Sequence, residues 1–163
     1  TIGAPQPEGR LIGLTRRQGG PPAVGHGGEI VGVDDIGPCA AVEFAGFVAR
    51  DQLDNVSIKL GASDDPRLPE NSFDRIFLIH MYHEIGEPYA LMWRLRPALR
   101  KAGEVVIVDA DRPTNQHGTP PQLLFCELEA VGYKLVSFAE NPNIGGYFAR
   151  FVAEGPRPDP IRV

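Results

Sequence analysis

From residue 27 onward, apolar positions come in short blocks whose spacing switches between the period of a strand and that of a helix. "EIVGVD" is an apolar run of strand length. "SFDRIFLIH" is another, apolar without a break from Ile76 to Ile79, as a strand covered on both faces requires. "NVSIKLG" alternates, with Val56, Ile58 and Leu60 on one side, and "EVVIVDAD" repeats the buried-strand pattern. Between them, "PCAAVEFAGFVARDQ" sets Ala41, Phe44, Ala45 and Val48 at helical spacing, with Pro38 suited to a first turn. "PYALMWRLRPALRKAG" predicts an amphipathic helix with Leu91, Trp93, Leu95 and Leu99 inward and Gly103 just past its end. "PQLLFCELEAVG" predicts a helix closed by Gly132. Two strands then follow, "YKLVSFAE" and "YFARFVAE", with only "NPNIGG" between them. So short a link implies a hairpin, and the last strand is therefore expected to be antiparallel.

The order of elements predicts a single α/β domain over residues 1–163, doubly wound, with helices on both faces of a mostly parallel sheet. The first 28 residues differ in kind, because stretches such as "APQPEG" and "RRQGGPPAVGHGG" crowd glycine and proline together. They read as mostly loop, with a short helix near Arg10 to Arg17. The tail, residues 155–163, is Pro-rich and reads as a segment trailing along the surface.

Composition narrows the function. At 163 residues, 42% hydrophobic and 23% charged, the chain is long enough to bury a core and has the make-up of a globular domain. Its apolar runs fall far short of the roughly 20 residues that cross a bilayer, and no signal-peptide pattern opens it. A formal charge of −5 leaves no basic stripe for nucleic acid. Cys39 and Cys126 both sit among apolar neighbours in predicted helices. They read as buried free thiols, and a cytoplasmic setting follows.

The candidate chemistry gathers at strand ends. In open α/β sheets, ligands sit outside the carboxyl ends of the strands. Asp34, ending an early strand with Asp35 beside it, could accept hydrogen bonds from the two ribose hydroxyls of a nucleoside, or either acid could cap the next helix. "HMYHE" offers His80, His83 and Glu84, and Asp109, Asp111 and His117 lie at another strand end nearby. Zinc hydrolases use H-E-x-x-H, with four positions between histidine numbers, whereas the spacing here is three, so no metal is expected. The polar loop "DADRPTNQHGTPPQL" is long enough to carry binding function, with Arg112 for an anion and His117 for an acceptor. His26 reads as solvated in a Gly loop.

These segments together resemble the class I S-adenosylmethionine-dependent methyltransferases, in particular the small UbiE-like group. "GGEIVGVDD" looks like the family's second strand with its ribose-binding acid. "LDNVSIKLGASDDPRLPENSFDRIFLIHMYHEI" is similar to its third and fourth strands, and "LRPALRKAGEVVIVD" to the turn and fifth strand. The likeness covers about Gly27 to Glu154. It implies a seven-stranded Rossmann-like sheet with an antiparallel last strand, and S-adenosyl-L-methionine as cofactor. It also implies cofactor contacts at Asp34 and Asp35, at Ala62 and Ser63 in the adenine turn, and at His80 near the methionine moiety. Tyr82, His83 and Glu84 would face the acceptor and carry catalysis.

The front of the chain departs from that family. Gly3 and Gly9 are the candidates for its glycine turn, but Pro5 and Pro7 occupy the same stretch, and proline lacks both the N–H and the freedom such a turn uses. The first strand reads as truncated or missing, and its slot lies mid-sheet, where each orphaned backbone group would cost roughly 1–3 kcal/mol. Upstream residues, another segment filling the slot, or a degenerate member would each account for this. Two functions are therefore expected to compete. One is methyl transfer to a small molecule, with no nucleic-acid or membrane partner and a homo-oligomer allowed. The other is a non-catalytic domain of the same shape that serves in binding or assembly.

Overall fold

A computed structural model describes residues 12–16, 27–32, 46, 48–52 and 56–160. Its seven strands are β1 (Ile12–Arg16), β2 (Gly27–Gly32), β3 (Val56–Leu60), β4 (Phe73–Ile79), β5 (Leu99–Ala110), β6 (Tyr133–Asn141) and β7 (Gly146–Ala153). They form one sheet in the order β3-β2-β1-β4-β5-β7-β6. β2 pairs parallel with β3, and β4 with β5. β1 runs antiparallel to both β2 and β4, and β7 to both β5 and β6. Five strands therefore point one way and two the other. By strand direction this is the expected mostly parallel, Rossmann-like sheet, closed by the expected antiparallel hairpin.

Residues Ile12 to Arg16 correct the expectation of a loop and a short helix near Arg10 to Arg17. They are a strand, and they fill the mid-sheet slot in reversed direction. Ile12 lies opposite Val31 on one side and Leu78 on the other, and Leu14 opposite Glu29 and Ile76. Five residues carry too little periodicity to announce themselves. Pairing on both edges satisfies backbone groups of two neighbouring strands at once, and that gain overrides the weak local preference.

The long predicted helix also divides. α1 covers Pro88–Leu95, a 3-10 turn covers Arg96–Ala98, and β5 has begun by Leu99. Pro97 has no N–H for the helix ladder and its ring crowds the carbonyl four residues back, so the α-helix stops. Gly103 lies inside β5, not behind a helix. Leu91, Met92 and Leu95 are fully buried against Phe73, Ile76 and Ile107 of the sheet. On the other helix of comparable length among the described residues, α2 (Pro121–Ala130), Leu124 and Leu128 face inward. Gly132 follows with φ of +86° and an N–H donated to the Glu129 carbonyl at 2.9 Å, the left-handed ending foreseen for it. Cys126 is a correction: two residues from Leu124 it points to the opposite side, and its free thiol is exposed. Cys39 lies outside the described residues.

Gly46 and residues 48–50 are helical, in the stretch predicted as the helix after β2. The Pro-rich tail does lie on the surface, but it is tied down. Arg96, only 6% exposed, donates to the carbonyls of Glu154, Gly155 and Pro156, and Trp93 Nε1 to that of Pro158. Among the described residues no helix is long and apolar enough to cross a membrane.

Candidate functional site

The parallel register of β4 and β5 sets Ile79 opposite Val108, so both strands end at one edge of the sheet. Each then leaves that edge through a tight turn. After β4, His80 adopts a φ of +50° with its N–H on the Val108 carbonyl at 2.8 Å, and a single 3-10 turn follows at Tyr82–Glu84. After β5, a second 3-10 turn covers Thr114–Gln116 and ends at His117, and the chain returns inward at Thr119.

Asp109 is the centre of this edge. Its side chain has no solvent exposure, and a buried carboxylate is tolerated only when its oxygens are hydrogen-bonded. Oδ1 accepts from His83 Nδ1 and from the Ala110 N–H, both at 2.8 Å. Oδ2 accepts from Thr119 Oγ1 at 2.9 Å and from the His83 N–H at 3.3 Å. An ionised carboxylate only accepts, so His83 donates to it through Nδ1, and in the neutral ring Nε2 is then the lone-pair atom. That Nε2 lies 3.4 Å from Glu84 Oε1, which is 3.0 Å from His117 Nδ1. The two imidazoles meet edge to face with centroids 5.9 Å apart. The His83 side chain is 6% exposed, Glu84 18% and His117 73%, so the cluster opens outward through His117.

β7 braces it from behind. A Cβ on Gly146 would stand 2.1 Å from the Asp109 carbonyl oxygen, so only glycine lets β7 approach there. The next residue, fully buried Tyr147, donates its hydroxyl to the Thr119 carbonyl at 2.9 Å. Burial first, then the nearby Asp109 charge, pushes its pKa far up and keeps it a donor.

Of the residues expected to carry catalysis, His83 and Glu84 come together and Tyr82 does not join them. Tyr82 is buried and its hydroxyl donates to Glu127 Oε2 of α2 at 2.8 Å. Burial and the Glu127 carboxylate push its pKa far up, and burial raises Glu127 in turn against the opposing effect of that hydrogen bond. Of the expected cofactor contacts, His80 is exposed at the carboxyl end of β4, beside the 52%-exposed Ile79. Ala62 and Ser63 follow β3 in a turn closed by reciprocal backbone bonds between Ala62 and Asp65. In the same turn Asp64 pairs with Arg94, which holds its carboxyl below the usual range. Gly3, Gly9, Asp34 and Asp35 lie outside the described residues, as do Pro5, Pro7 and His26. β2 ends beside β3, with Gly32 opposite Leu60. Arg112 is exposed in the loop after β5. The anchoring role of Asp109 was open to detection, since an acid ending an apolar strand is the signal that singled out Asp34. Thr119 carries no such signal.

No protein-family model and no curated protein matches the chain. Solved structures do. A SAM-dependent methyltransferase from Aquifex aeolicus is 19% identical with a TM-score of 0.63, covering 76% of this chain and 66% of its own. The glycopeptide N-methyltransferase MtfA, solved with sinefungin, is 13% identical with a TM-score of 0.62, covering 77% of this chain and 71% of its own. The [4+2]-cyclase SpnF is 12% identical with a TM-score of 0.60, covering 76% of this chain and 66% of its own. The chain thus spans just under two thirds of the Aquifex protein and of the cyclase. At these identities the likeness is one of fold: the molecule has the architecture of class I SAM-dependent methyltransferases. The cyclase shows that this architecture also carries other chemistry.

Proposed function

We propose that the chain is an S-adenosylmethionine-dependent methyltransferase of the UbiE-like kind, acting on a small molecule, with His83 as general base. The reading is carried by the His83–Asp109 pair, set at the carboxyl edge of a sheet whose order is that of the methyltransferase fold. Asp109 holds the ring by Nδ1–H and favours the imidazolium that forms when Nε2 takes a proton. S-Adenosylmethionine, when bound, supplies a methyl group on a positively charged sulfur that leaves as a neutral thioether. An acceptor that must lose a proton would pass it to His83 Nε2. Positioning supplies much of the rate in such a displacement, and a base adds about 10²–10⁴ when the nucleophile must lose a proton.

Two described residues support a cofactor at this edge. Ile79 offers exposed apolar surface and His80 an exposed polar one at the edge where ligands of these sheets sit. Ala62 and Ser63 would flank the adenine, Asp34 with Asp35 would grip the ribose, and Gly3 and Gly9 would pass the methionine portion. Glu84 would meet the acceptor beside His83. A reducing, cytoplasmic setting suits the exposed free thiol of Cys126. The reversed β1 favours one rival, a domain of this shape that binds without transferring.

Isothermal titration with S-adenosylhomocysteine separates the two. Heat of binding that disappears in Asp34→Ala, with methyl transfer in the wild type, is the expected result. No heat and no thermal shift on folded protein would sink the cofactor reading.

A further inference from the structure

We propose that His83, Glu84 and His117 form a binding site for one divalent transition-metal ion of the zinc class. Sequence spacing pointed away from a metal because it paired His83 with His80. The fold instead brings in His117, 34 positions along the chain, across the ends of β4 and β5. One donor atom from each of the three residues lies within 4.8 Å of the other two. Glu84 Oε1 is 3.0 Å from His117 Nδ1 and 3.4 Å from His83 Nε2. Donors about 2.0–2.1 Å from a tetrahedral ion stand about 3.3 Å from one another, so these two edges already have the required length.

The second observation is electronic. Asp109 has no exposure and accepts the hydrogen bond of His83 Nδ1–H, which turns Nε2 toward the Glu84 carboxylate. At 3.4 Å the imidazole Nε2 and the carboxylate Oε1 stand at the separation of two ligands on one ion. A ligating histidine anchored through its other nitrogen by a carboxylate is the arrangement that metal sites use to fix ring orientation and raise basicity. Two imidazoles and one carboxylate with outward-facing room match the three-ligand sites of zinc, which leave a fourth position for water or substrate. His117, 73% exposed, is the open side of the site.

This proposal does not depend on methyl transfer. One Nε2 cannot hold an ion and accept a proton at the same moment, so base catalysis by His83 would belong to the metal-free protein and the ion would inhibit it.

The test uses the full chain, stripped with chelator and titrated with Zn²⁺ and Co²⁺. One equivalent should bind, with a Co²⁺ visible spectrum of a four- or five-coordinate ion. His117→Ala should lose at least tenfold in affinity while its melting curve stays that of the wild type, since the exposed ring supports no core. Asp109→Asn should lose 10–100-fold while all three ligands remain. Failure of the wild type to retain an equivalent at micromolar metal would overturn the proposal. So would a His117→Ala protein that binds as tightly as wild type, which would leave the cluster an imidazolium held between carboxylates. None of these readouts requires a methyl acceptor or S-adenosylmethionine, so the two readings fail separately.

Discussion

Arg96 and Asp109 are both buried charges, at different places in the same fold, and they are satisfied in opposite ways. Arg96 gives its N–H groups to three consecutive backbone carbonyls, those of Glu154, Gly155 and Pro156. Trp93 alongside holds the Pro158 carbonyl, and the Arg157 guanidinium lies 3.6 Å over its ring. Every one of those contacts closes inward and ties the tail to the domain. Asp109 is equally enclosed, but one of its four donors is an imidazole whose far nitrogen faces Glu84 and, beyond it, exposed His117. Burial of a charge therefore does not by itself mark a functional site. A partner that leads on to further polar side chains and, through them, to the surface does.

Breaking the Asp109 end should have the larger effect. Asp109→Asn keeps the shape but offers an N–H₂ where His83 needs an acceptor, so the ring loses its tautomer. If His83 is the base, the rate of transfer at saturating acceptor should fall by about 10²–10⁴, equivalent to roughly 3–5 kcal/mol of barrier. Steady-state kinetics would show this as a loss in kcat with KM little altered. A change of only twofold would make the pair a structural contact like the one at Arg96. Arg96→Ala should do the converse. It strands three carbonyls that are partly shielded from water, costs about 2–4 kcal/mol and lowers Tm by roughly 4–16 °C, with transfer unchanged below the transition. Circular dichroism melts measure it, and an unshifted Tm would mean that the tail adds nothing to the domain.

The same contrast explains what could be read along the chain. β4, β5, α2 and the closing hairpin were legible because each carries its own period, from the apolar run at Ile76 to Ile79 to the Gly132 stop. β1 was not, because its fate is decided by β2 and β4 on either side of five residues that have no pattern of their own. The end of α1 could have been placed from Pro97 alone. At the site, His83 and Glu84 were visible as polar residues just past a buried strand. Their assembly with Asp109, Thr119 and His117 was not, since it depends on the Ile79–Val108 register and on two loops folding back to one edge. The sequence named His117 and Asp109 at a neighbouring strand end, but the spacing from His80 to His83 was what decided against a metal.

A substitution at Gly146 joins the comparison to the fold. A methyl there would meet the Asp109 carbonyl oxygen at 2.1 Å, and backbone cannot step aside as a long side chain can. Gly146→Ala should force β7 away from β5, with a cost of about 1–3 kcal/mol. The displacement falls on the residue that holds His83, so the same variant should lose transfer activity even at temperatures where it remains folded. A variant that is less stable yet fully active would show that the His83 ring is positioned from its own turn and not through the β5–β7 pairing.

The smallest effect belongs to Glu127, which lies on the frame side of the site with Tyr82. Partial burial raises its pKa above the ordinary 4.5, against the opposing pull of the Tyr82 hydrogen bond. The folded protein therefore binds this proton more tightly than the unfolded chain. Its contribution to stability is complete below the unfolded pKa and is lost as pH rises through the folded one. Glu127→Gln still offers Oε1 to the Tyr82 hydroxyl but has no charge to bury. Its Tm should match the wild type near pH 4 and exceed it at neutral pH, by about half a kcal/mol or less, roughly 1–2 °C for a group so open to solvent. Paired melts across that range would settle the sign. An advantage that grew toward acid would mean that Tyr82, and not burial, governs the carboxyl.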